Sequence, residues 1–155
     1  MDPRTALLYK ESLRALTQQQ AVLDNLRTRT GILLSAAAIS SSFLGAQALA
    51  DSDPTVWSWC AIGSFAVLGL LLVAVLLPRG DWYFSQNVDQ LESVFGKRET
   101  NGRASLETIQ HDLAHANQDA WSYNAYKINK LFMQFNLAAG FLVLEIAFWL
   151  VDLAS

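Results

Sequence analysis

Formal charge is missing from two long stretches of this sequence. Thr30 to Ala50 and Val56 to Leu77 (VWSWCAIGSFAVLGLLLVAVLL) carry none, and Leu131 to Val151 (LFMQFNLAAGFLVLEIAFWLV) carries only Glu145. Each stretch reaches the ~20 residues that a helix rising ~1.5 Å per residue needs to cross ~30 Å of hydrocarbon. Three such helices buried in a soluble core would need more covering protein than 155 residues supply. The 52% hydrophobic content and the mean hydropathy of +0.22 also exceed what a soluble domain uses. Membrane-spanning helices are therefore expected at 30–50, 56–77 and 131–151. A cleaved signal is not expected, because 29 mostly polar residues precede the first stretch.

Other absences narrow the chemistry. Cys60 is the single cysteine, so no intramolecular disulfide or thiolate metal cage can form, and inside an apolar run it reads as a packing residue. There is no glycine-rich phosphate loop, no nucleophile beside a base and no carboxylate pair at a defined site, so the chain is read as a non-enzyme without cofactor. No internal repeat, low-complexity tract or strand pattern occurs.

Lys and Arg are missing from two further places, the short loop 51–55 and the tail 152–155. All eleven basic residues lie elsewhere: Arg4, Lys10, Arg14, Arg27 and Arg29 before the first span, and Arg79, Lys97, Arg98, Arg103, Lys127 and Lys130 between the second and third. Short loops rich in Lys and Arg stay on the cytoplasmic side. Residues 1–29 and 78–130 are thus expected in the cytoplasm, and the turn 51–55 and the tail outside.

What is present outside the spans is helical. Leu13, Leu16, Leu23 and Leu26 share a face, with Gln20 in the missing heptad position, and no breaker separates them from Thr30. Asp53 is placed to cap the second span with Pro54 at its first position, and Pro78 to end or kink it. Phe84, Val88, Leu91 and Phe95 form a stripe stopped by Gly96, followed by the polar loop GKRETNG. Leu106, Ile109, Leu113, Ala116, Ala120 and Tyr123 form another, running through Ile128 into the third span with no glycine or proline before Gly140. The expected fold is all-α: an integral membrane protein whose three transmembrane helices are continuous with a cytoplasmic helical bundle.

Several residues are unusual for their setting. Ala38 with Ser42, and Ser41 with Gly45, are small pairs that let another helix approach, whether the second span or a second subunit. The amount of Ser, Ala and Gln in this span fits lipid poorly and favours a homo-oligomer. Glu145, Gln134 and Asn136 lie within the third span. An ionised carboxylate there costs ~2.5 kcal/mol or more. Glu145 therefore either lines an oligomeric pore or joins a polar cluster, bonded in neutral form to a serine or to Gln47 of the first span; Ser41, Gln47, Gln134 and Asn136 are the other candidates for that pore or cluster. His111, His115 and Asp119 are spaced to meet a divalent metal, but the pattern equally makes a solvated face, and no metal is assigned. Arg27, Arg29, Lys127 and Lys130 belong near the inner membrane surface. They either snorkel to lipid phosphates or form a pocket for a nucleotide, with Trp121, Tyr123, Tyr126 or Trp82 to stack its base.

The segments LDNLRTRTGILLSAAAISSSFLG, LLPRG and AYKINKLFMQFNLA, set around a tight hairpin, resemble the small membrane effectors of bacterial cyclic-pyrimidine anti-phage defence, the Pycsar transmembrane effectors. More loosely, they are similar to the SLATT group of defence-linked membrane proteins. The sequence departs from the former at Arg27, Arg29, Thr30 and Gly31, where a lysine followed by small residues is expected. The resemblance implies a dormant protein that a cyclic nucleotide, made by a partner cyclase on infection, triggers to disrupt the inner membrane and arrest growth. It transfers no ligand-binding residue. The competing expectation is a constitutive homo-oligomeric channel or membrane scaffold with no toxic state. Neither involves a nucleic acid polymer.

Overall fold

The computed structural model describes residues 3–50, 53–77, 82–83 and 106–155. These residues form three helices and, among them, no strand: α1 (Pro3–Ala48), α2 (Val56–Leu76) and α3 (Leu106–Ala154). Each contains a segment long and apolar enough to cross a membrane. With no proline in their interiors, α1 and α3 stay helical for 46 and 49 residues, from polar sequence into apolar sequence. Pro78, the stripe Phe84, Val88, Leu91 and Phe95, and the loop after it lie outside the described residues.

The chain divides into two compact units, Met1–Leu23 with Arg79–Ile128 and Asp24–Pro78 with Asn129–Ser155. In the first, α1 buries Thr5, Leu16, Gln19 and Leu23, and α3 buries Asn117, Asn124 and Ile128. The helical period is the one the sequence suggests, and Leu16, Leu23, Leu26 and Ile128 are buried as expected, but the face differs at single positions. Leu13 is 43% exposed, and the polar member of the α1 stripe is Gln19 rather than Gln20. On α3, Asn117 and Asn124 occupy the places expected for Ala116 and Tyr123, both of which are exposed.

Hydrogen bonding accounts for the difference. Asn117 Nδ2 donates to Ser12 Oγ at 2.9 Å, and Ser12 Oγ donates to the Tyr9 carbonyl at 2.8 Å. Gln19 Nε2 donates to the Trp121 carbonyl at 2.9 Å. Asn124 holds the Tyr83 backbone from both sides, donating from Nδ2 to its carbonyl at 3.0 Å and accepting its N–H at 3.3 Å. A buried amide with partners costs little, whereas one left without them costs ~1–3 kcal/mol. A count of apolar residues cannot register that.

The second unit packs around Ala37, Leu68, Leu72 and Ala138, with Leu33, Leu34, Phe65, Phe135, Phe141 and Leu142 against them. α2 buries Ser58, Ala61, Ser64, Leu68, Leu72 and Val75, at intervals of three or four residues that keep them on one helix face. Two buried hydroxyls of this unit bond locally: Thr30 Oγ1 donates to the Leu26 carbonyl and Ser64 Oγ to the Cys60 carbonyl, both at 2.8 Å. Ile39, Phe43, Leu70, Val143 and Leu150 are exposed on the outside, apolar surface of the kind a bilayer covers.

The cap of α2 differs from expectation. Thr55, not Asp53, is the N-cap: its hydroxyl accepts the Trp57 N–H at 3.0 Å and the Ser58 N–H at 3.4 Å, and Pro54 precedes the helix. Ser58 Oγ accepts the Thr55 N–H at 3.0 Å, which closes a capping box. Both hydroxyls then donate to Asp152 near the end of α3, Thr55 to Oδ1 and Ser58 to Oδ2, the latter at 2.7 Å. A carboxylate suits the positive N-terminus of α2 and disfavours the C-terminus of its own helix. Asp152 therefore ties two helix ends together.

Gly45 is a close-approach site. A Cβ there would lie 3.2 Å from Trp149 Cζ2 and 3.3 Å from Cη2, against a ring that is itself buried. Gly45→Val is expected to destabilise the unit by about 1–3 kcal/mol through overpacking. Denaturant titration in detergent should show a lowered midpoint that Trp149→Leu partly restores; an unchanged midpoint for Gly45→Val would contradict the packing.

Candidate functional site

Two polar features stand out. The first lies within the apolar unit, where the small face of α1 meets α3. Ser41 Oγ donates to Glu145 Oε1, and one turn further along each helix Gly45 receives the Trp149 ring. The small pair Ser41 and Gly45 thus packs on the third apolar helix, not the second. Glu145 is fully buried, and among the described residues its Oε2 and the Trp149 Nε1 have no hydrogen-bond partner.

The other intramembrane candidates do not gather there. Gln47 is exposed, as is Asn136 on the opposite face of α3, while Gln134 is half-buried with Oε1 lacking a partner among the described residues. Ala38 and Ser42, with Ile39 and Phe43, line an open hollow on the outer face of α1.

The second feature is a cation over rings, within the first unit. Lys127 Nζ lies 4.3 Å from the Tyr123 ring centroid and 5.7 Å from that of Trp82, inside the ~6 Å range of cation–π attraction. Tyr83 meets Tyr123 edge-on at 5.3 Å, and the Asn124 amide fixes the Tyr83 backbone beside it. Trp121 is partly exposed and lends only its carbonyl to Gln19. Arg27, Arg29 and Lys130 belong to the second unit, where Arg27 Nη1 lies 3.9 Å from Asp24 Oδ1 and Arg29 and Lys130 are exposed.

His111 and His115 stack in a tilted pair at 4.5 Å, and both line a hollow of about 310 Å³ with Leu8, Glu11, Ser12 and Gln118. Among the described residues, no group of three or more His, Cys, Asp or Glu side chains is arranged to hold a metal ion.

Tyr83, Asn117, Asn124, Trp149 and the Thr55, Ser58 and Asp152 clasp went unread in the sequence. The one available signal was polarity: Asn117 and Asn124 are seven residues apart, the spacing of one helix face. Comparison with protein-family models, with curated proteins and with solved structures finds no match to this chain.

Proposed function

We propose that this chain is a bacterial inner-membrane effector of anti-phage defence. A cytoplasmic signal, a cyclic nucleotide, makes it rearrange or oligomerise so that the membrane is disrupted and growth stops. The observation that carries the proposal is helix continuity: α1 and α3 each pass from a polar segment into an apolar span with no linker between. Residues 1–29 and 78–130 then lie in the cytoplasm and the C-terminus outside. Buried Gln19, Asn117 and Asn124 support a responsive unit, because polar residues at helix-packing positions specify register at a cost in stability. The gap between two packings is then small enough for a ligand that prefers one to shift the population. The ligand class follows from the resemblance to cyclic-nucleotide effectors and from Lys127 beside Trp82 and Tyr123, a cation and two rings suited to a phosphate and a base.

Induced expression in bacteria, alone and with a pyrimidine cyclase, tests this while membrane potential is followed. Depolarisation and arrest only in the presence of the cyclase are expected. Harmless expression in both cases would favour a constitutive channel or scaffold. For topology, a reporter active only in the cytoplasm should work at the N-terminus or within 96–102 and fail at the C-terminus. A working C-terminal fusion would remove one span from the scheme.

Glu145→Gln offers a sharper probe. The amide keeps an oxygen for the Ser41 hydroxyl and cannot ionise, so assembly should persist while the depolarisation response changes. Wild-type depolarisation in this variant would exclude a role for the carboxyl in the response.

A further inference from the structure

The inner face of α3 is spent within the chain: Leu131, Ala138, Glu145 and Trp149 are all buried. Directly opposite, Asn129, Met133, Asn136 and Gly140 recur at intervals of four, three and four, and all are exposed. Asn129, Phe132, Met133, Asn136 and Leu137 line a hollow of about 440 Å³ on this face. A Cβ at Gly140 would meet nothing within 4 Å, so no contact inside the described chain asks for a glycine there. The Asn136 amide has no hydrogen-bond partner among the described residues.

We infer that this face is the contact surface for a second copy of the chain, with the two Asn136 amides bonded to each other across a two-fold axis. Asn136 is five residues past Leu131, about 7.5 Å deeper along a helix axis, where an acyl chain offers neither donor nor acceptor. An unbonded amide in such surroundings is expensive, and its side chain is too short to reach the interface as a lysine does. A primary amide both donates and accepts, so it complements itself. Two copies inserted with the same orientation place Asn136 opposite Asn136 when the axis runs along the membrane normal, the geometry of a symmetric dimer. A different protein would have to supply a matching amide at the same depth; a second copy has it by identity. Gly140, one turn further in, lets the two helices close. The small pair Ser41 and Gly45 of α1 is not available for this purpose, since Gly45 already receives Trp149. The inference rests on the proposed reading of α3 as a membrane span, and on neither the signal nor the toxicity.

The test uses the full chain with Cys60→Ala, in vesicles of phosphatidylethanolamine and phosphatidylglycerol. Met133→Cys and Leu137→Cys, which lie on this face and keep the Asn136 amide and Gly140, should oxidise to disulfide-linked dimers faster than Leu70→Cys, which is exposed on α2. In energy-transfer measurements at falling protein-to-lipid ratio, Asn136→Leu should weaken association about 3- to 30-fold, and Asn136→Gln should recover part of it. Equal cross-linking at all three positions, a monomer at every ratio, or wild-type association of Asn136→Leu would overturn the proposal. Carbonate extraction separates the two levels: retention in the membrane with no dimer sinks the surface alone, and release of the wild-type chain sinks the span reading and the surface with it.

Discussion

Two or three glycines inserted between Thr28 and Arg29 are expected to abolish the depolarisation response while leaving the protein in the membrane. At this point α1 is held by local bonds: Thr28 Oγ1 donates to the Asp24 carbonyl at 3.0 Å, Thr30 Oγ1 to the Leu26 carbonyl at 2.8 Å, and Arg27 pairs with Asp24 at 3.9 Å. Each glycine disfavours helix by ~1 kcal/mol relative to alanine, so the insert becomes a joint. Thr30 to Ala50 keeps its length and composition, so insertion into the bilayer should survive. A rotation or displacement of α1 before the joint can no longer be imposed on the helix after it. Membrane potential with the cyclase co-expressed reads the response, and carbonate extraction reads insertion. If depolarisation still follows the trigger, transmission along the helix is wrong, and a scaffold that recruits a separate effector becomes the better account.

The second large effect is expected at Asn124. Its amide is fully buried and makes two bonds to one backbone, the Tyr83 carbonyl at 3.0 Å and the Tyr83 N–H at 3.3 Å. Asn124→Leu has similar volume but leaves both backbone groups unpaired, at ~1–3 kcal/mol each for full burial. Tyr83 is itself partly exposed, and water can meet some of that loss. A destabilisation of about 2–4 kcal/mol for the first unit follows. Amide hydrogen exchange over 106–128 should accelerate accordingly. Release of Tyr83 should also remove its edge contact with Tyr123 and loosen the rings around Lys127. Asn124→Asp, which keeps an acceptor but loses the donor, should fall between wild type and leucine. Exchange rates unchanged in Asn124→Leu would mean that the amide pairing contributes nothing to the unit.

Both expectations turn on polar residues, where sequence and structure part company. The stripe Leu13, Leu16, Leu23 and Leu26 has the right period because apolar residues recur every third or fourth position on any helix that packs. Its phase is off at Leu13 because Gln19, Asn117 and Asn124 find partners and go inside, and a hydropathy pattern assigns amides to the surface. The α2 cap shows the same effect at shorter range. Asp53, Pro54 and Thr55 all lie at the helix start, and what distinguishes Thr55 is a carboxylate 97 residues away in the chain, Asp152, that receives its hydroxyl.

For the candidate site the division falls in the same place. Glu145 was conspicuous in sequence because a carboxyl among apolar residues is costly wherever it points. Ser41 rather than Gln47 as its partner, and Trp149 seated on Gly45, depend on how α1 and α3 are rotated against each other. Lys127 was one of four cations assigned to the membrane surface, and only the fold sets it over Trp82 and Tyr123.

By itself the sequence determined the three apolar helices, the unbroken passage of two of them from polar into apolar sequence, and the positions of every charge. These are local quantities: run length, breaker content and composition do not depend on what lies across the chain. Only the tertiary structure decided which face each helix buries, which amides enter the core and which hydroxyl meets Glu145 or Asp152. Those choices belong to pairs of residues about a hundred positions apart, such as Ser41 with Glu145, and a hydrogen bond has no strength until both partners are in place.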